Sequence, residues 1–160
     1  MVGQFLKSTR ELLHRGRNAS FVVIDWRECL PVHPAHVVTW TPDDAHFNAS
    51  RYAGYSPNDF RFALYAEFFA AHPQVKRAFI VDGRDTVLRE NPLPLMQPRT
   101  LYVGTNPGGC GNRAVQAPPW CRDFITKCAR GYLNAGLLGG DAAVLAPAVD
   151  AVLKLSLIHI

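Results

Sequence analysis

No apolar run in this 160-residue chain comes near the roughly 20 residues that a membrane-spanning helix needs. Charged residues make up only 19%, and like charges never gather into a run of five, which argues against a surface that tracks nucleic acid. The N-terminal segment has no apolar stretch of the signal-peptide kind, because Lys7, Arg10 and Glu11 interrupt it. Cysteine is scarce: Cys29, Cys110, Cys121 and Cys128 include no C-x-x-C pair, which disfavours a zinc ribbon or a thioredoxin-like motif. Their three possible pairings stay open. No internal repeat or low-complexity tract is present.

What is there fits one globular domain. Hydrophobic residues are 48% of the chain, and 17 Lys and Arg against 13 Asp and Glu give a net charge of +4. A chain of this size buries roughly 70% of its unfolded surface, enough for a continuous core. Two N-x-S sequons, at Asn18 and Asn48, point to carbohydrate attachment and an oxidising compartment. His33 and His36 have the spacing of a metal pair, but Pro31 and Pro34 break any helix that would align the rings, so they read as loop histidines.

The apolar pattern predicts helix, strand, strand, helix, strand, strand, helix. Phe5, Leu6, Thr9, Leu12 and Leu13 have helical spacing over 2–15. Residues 21–24 and 37–40 read as β-branched strands. Ser56, Pro57 and Asp59 form a helix start, and that helix runs to about Ala71. Residues 78–81 and 101–103 read as strands, 104–119 as a loop and 121–129 as a short helix. Tyr132 to Leu138 leads into Gly139-Gly140, and Asp141 is expected to cap a last helix ending near Lys154, with Pro147 as a kink. This alternation predicts an α/β fold with a mostly parallel sheet flanked by helices. In such sheets ligands bind beyond the carboxyl ends of the strands.

Asp82 and Asp85 stand just past one such end, in D-G-R-D. Two carboxylates there suit a hard divalent cation, Mn²⁺ or Mg²⁺, which clamps a diphosphate leaving group. Gly83 lets the turn approach a ligand, and Arg84 offers a planar fork to phosphate or to a neighbouring carboxylate. A plain polar turn with an internal Arg–Asp pair is the simpler alternative. A haloacid-dehalogenase-type phosphatase is disfavoured by the D-x-x-D spacing. A second informative stretch is Tyr132-Leu133-Asn134-Ala135-Gly136-Leu137-Leu138-Gly139-Gly140, in which an Asn precedes small residues. That pattern suits close approach of a ligand to the backbone, with Asn134 bonding a sugar hydroxyl, or a turn whose glycines serve packing alone.

Together, F-I-V-D-G-R-D-T-V-L, the following N-P-L and the later L-N-A-G-L-L-G-G resemble the glycosyltransferases of GT-A fold. The likeness takes in most of residues 2–154. It implies a Rossmann-like domain that takes a UDP- or GDP-sugar and transfers the sugar to a glycan, protein or lipid acceptor. It implies Asp85, with Asp82 one residue further off than usual, as ligands of Mn²⁺ or Mg²⁺. It implies Asn134 and Gly136 in the donor pocket and Arg51 as a basic donor contact, to which the Arg84 fork is a second candidate. No catalytic base is assigned. With the sequons, it implies a secretory setting, the Golgi above all. It also implies that the chain opens after the family's first strand and closes before its acceptor segment, as an internal part of a longer enzyme. The expected domain is 1–154. Leu155–Ile160 reads as the translation of a sequencing adapter, a non-native tail. The alternatives are a non-catalytic nucleotide- or carbohydrate-binding α/β domain, and a structural domain with no ligand.

Overall fold

A computed structural model describes residues 3–14, 20–24, 35, 37–43, 47–82, 86–106 and 132–157. The helix expected at the N-terminus is α1, Gly3–His14. It buries Phe5 and Leu12, and also Ser8 and Thr9. Those two hydroxyls donate to the carbonyls of Phe5 and Leu6, each at 2.8 Å, which makes their burial tolerable. The Ser8 Oγ also accepts the Leu88 N–H at 3.1 Å and so ties α1 to the chain just beyond the acidic turn.

Strands β1, Val22–Ile24, and β2, Val38–Trp40, pair in parallel with Val22 opposite Val38. A 3-10 turn, Ala49–Tyr52, precedes α2, Pro57–Ala71. The start of α2 is as the sequence predicts. The Ser56 hydroxyl accepts the Asp59 N–H at 3.2 Å and donates to the Asp59 carboxylate at 2.7 Å, with proline at the first helical position.

Strands β3, Arg77–Val81, β4, Leu101–Asn106, and β5, Tyr132–Asp141, form a second sheet in the order β3-β5-β4. The last helix, α3, covers Ala142–Leu157, runs through Pro147 and continues past Lys154 into the segment read as a tail.

The mixed α/β expectation holds, but a mostly parallel sheet does not describe these strands. Among the described residues β1–β2 is the one parallel pair, and β5 runs antiparallel to both β3 and β4. The reason is β5 itself. Its glycines resemble a turn in sequence, yet they serve close packing inside a strand. A Cβ on Gly139 would overlap the Phe79 ring and come within 2.7 Å of the Met96 methyl. With β5 central, β3 and β4 each take one of its edges. Strand β4 also extends through residues 104–106, where the sequence predicts a loop. The helix expected over 121–129 lies outside the described residues.

Asp141 is a further correction. It precedes α3, but its carboxylate accepts the Arg77 Nε–H at 3.0 Å and the Arg99 N–H at 2.8 Å rather than capping the helix. The core lies between the antiparallel sheet and the two later helices. Phe62, Ala63 and Leu64 of α2 pack with Leu145, Val149 and Leu153 of α3 and with Leu138 of β5. Burying one such side chain contributes about 1.5–3 kcal/mol. This packing fixes α2 beside the carboxyl end of β3.

Candidate functional site

Strand β3 is apolar from Ala78 to Val81 and releases the chain at Asp82. The ladder with β5 runs from Arg77 opposite Asp141 to Val81 opposite Leu137, and the next bond is the Asp82 N–H to the Gly136 carbonyl at 2.9 Å. Strand β5 bulges at this place. Val103 of β4 faces Leu138, but its neighbour Gly104 faces Asn134, so the register between the two strands shifts across residues 135–137 of β5. A bulge bends its strand and re-aims the backbone, and bulges are common beside active sites. Gly104 is needed opposite it, since a Cβ there would stand 2.5 Å from the Leu137 Cβ. The bulge over residues 135–137 therefore lies against the end of β3, just before Asp82.

Helix α2 adds two groups that the sequence reading passed over. Arg61 Nη1 lies 3.5 Å from Asp82 Oδ2, and the Arg61 guanidinium carbon is 5.3 Å from the centre of the Phe62 ring. The Asp82 side chain is 51% exposed and that of Arg61 23%. Arg61 Nε is buried and meets no hydrogen-bond partner among the described residues. Tyr65 follows one turn later on α2. Burial pushes its phenol above the ordinary range, the Arg61 charge pulls it down, and the Asp82 charge pushes it up again. Arg61, Tyr65 and Asp82 thus share one electrostatic neighbourhood. The signal available in the sequence was that Arg61 is the one basic residue in a helix otherwise rich in apolar side chains.

Of the predicted site residues, the fold brings Asp82 and Gly136 together, with Asn134 two positions further along the bulged strand. Asp85 and Arg84, with Gly83, lie outside the described residues, as does Asn18. Arg51 is exposed on the 3-10 turn, where its charge acts on Tyr55. Asn48 is exposed, and its side-chain oxygen accepts the Ser50 N–H at 3.1 Å and the Ser50 hydroxyl.

Asp82 supplies one hard oxygen donor suited to Mn²⁺ or Mg²⁺. Among the described residues, no three His, Cys, Asp or Glu side chains converge as a metal site. A separate cleft of about 350 Å³ lies between Glu11 and Leu12 of α1 and residues 87–90. Among the described residues, no helix is long and apolar enough to cross a membrane. Comparison with protein-family models, curated proteins and solved structures finds no match to this chain.

Proposed function

We infer that the chain is the donor-binding part of a nucleotide-sugar-dependent glycosyltransferase of GT-A type. The observation that carries this reading is the hydrogen bond from the Asp82 N–H to the Gly136 carbonyl at 2.9 Å. Asp82, which opens the acidic turn, and Gly136 of the Asn-Gly segment, far apart in the chain, are adjacent at one strand end. That adjacency is what a single site built from both requires.

In this reading Asp82 and Asp85 hold Mn²⁺ or Mg²⁺, and the cation when bound supplies Lewis-acid stabilisation of the departing diphosphate. The chain's own residues bind and orient the donor. Gly136 offers a backbone wall without a side chain, Asn134 an amide for a sugar hydroxyl, and Arg51 and Arg84 cationic contacts for a UDP- or GDP-sugar. A Rossmann-like domain, supported by the parallel pair of β1 and β2, belongs to the same proposal. So do the Golgi setting, which rests on the sequons, and the glycan, protein or lipid acceptor.

The test is calorimetric titration of UDP and GDP with and without Mn²⁺. Metal-dependent binding that Asp85→Ala abolishes is expected. Metal-independent binding that survives Asp85→Ala overturns the metal assignment and favours a non-catalytic nucleotide-binding domain.

A further inference from the structure

An arginine beside a carboxylate commonly forms a bidentate pair at about 2.7–2.9 Å. Arg61 does not. Its contact with Asp82 is a single long one of 3.5 Å, and its Nε–H is enclosed without a partner among the described residues. A buried donor left unmade is costly, and more so on a charged group. The helix cannot relieve this by moving, because Phe62, Ala63 and Leu64, the residues that follow Arg61, are buried against α3 and β5. The Phe62 ring lies close under the guanidinium on one side. The group is therefore a planar cation held at the carboxyl end of β3 with donor capacity unused, where a half-exposed carboxylate is its weak counter-ion.

We propose that Arg61 is an oxyanion receptor, which leaves Asp82 and closes on the phosphate oxygens of a diphosphate placed at the end of β3. The fork of N–H groups matches two phosphate oxygens, and re-aiming the guanidinium gives the stranded Nε–H an acceptor. Asp82 keeps the arginine extended toward the strand end when no anion is bound. It also repels an incoming anion, so it opposes binding in the absence of a cation. This inference deepens the glycosyltransferase reading and rests on it for the identity of the anion as a nucleotide diphosphate. Oxyanion recognition itself rests on the placement of Arg61.

The experiment is titration of the 160-residue chain with inorganic pyrophosphate, UDP and uridine in the presence of EDTA. Pyrophosphate and UDP are expected to bind more tightly than uridine. Arg61→Met is expected to weaken pyrophosphate about tenfold or more, the factor that corresponds to one charge-assisted hydrogen bond. Arg61→Lys keeps the charge but not the fork, and is expected to weaken it several-fold, roughly half as much on a logarithmic scale. Asp82→Asn is expected to strengthen it. Wild-type affinity in Arg61→Met and Arg61→Lys, or no pyrophosphate binding by the wild type, overturns the proposal. Should Arg61→Met fail to fold, Arg61→Lys and Asp82→Asn decide the matter. Arg61-dependent pyrophosphate binding without metal-dependent UDP binding would sink the sugar-transfer reading and leave this one standing. Metal-dependent UDP binding that ignores Arg61 does the reverse.

Discussion

Asp82 is held to Gly136 by its backbone, with its N–H on the Gly136 carbonyl at 2.9 Å. The carboxylate meets Arg61 at 3.5 Å with half of its surface in water. Position and chemistry are therefore separable at this residue, and substitutions can address one without the other.

Asp82→Ala is expected to leave the fold intact. A half-exposed ion pair of this length contributes about 0–1 kcal/mol. Chemical denaturation should show a change within that range, while metal-dependent nucleotide binding weakens. A loss of several kcal/mol would mean that the side chain, not the backbone bond, organises the strand end.

Gly139→Ala is expected to destabilise by about 1–3 kcal/mol, the usual range for overpacking a core. The added methyl meets the Phe79 ring and the Met96 methyl. Gly140→Ala adds a second penalty, since φ there is +154° and the methyl would stand 2.6 Å from the Thr100 carbonyl oxygen. Thermal melts of the two variants and the parent check this. Unchanged melting in both would contradict the central placement of β5.

Acid stability should depend on Asp141. The Arg99 N–H that it accepts, and then its hydrogen bond and charge pairing with Arg77, hold its carboxyl below the ordinary carboxylate range. A carboxyl lowered on folding stabilises the protein at pH above its unfolded value. That contribution fades as the pH falls from about 4 toward the folded value. Asp141→Asn should therefore lower stability at neutral pH and flatten its fall below pH 4. A stability curve in that window with the parent's slope would remove Asp141 from the acid response.

Asn48 is expected to carry a glycan when the chain is made in a secretory pathway. Its amide oxygen is engaged by Ser50, which leaves the amide nitrogen as the point of attachment on an exposed residue. Digestion with a peptide N-glycosidase should shift the mass of the parent, and Ser50→Ala should remove the part due to Asn48. A parent that shows no shift argues against the secretory assignment.

Much of this protein can be read from local sequence because the causes are local. The Ser56 cap, Pro57 at the helix start and Asp59 in the first turn act within four residues, and α2 begins where they say. The apolar run at residues 78–81 stops before Asp82, and so does β3, where the half-exposed Asp82 side chain meets water. The helical spacing of Phe5 and Leu12 likewise marks the buried face of α1.

What only the tertiary structure decided has non-local causes. Gly136, Gly139 and Gly140 look like turn residues until the Phe79 ring and the Thr100 carbonyl are seen against β5. Strand direction follows from which edges pair, and no periodicity within one segment encodes that. Asp141 resembles a helix cap because capping is judged from the residues beside it, whereas its partners Arg77 and Arg99 come from elsewhere in the chain. Arg61 resembles an ordinary polar residue on an apolar helix. It becomes part of a candidate site only because α2 packs on α3 and β5, and that packing sets its guanidinium against Asp82.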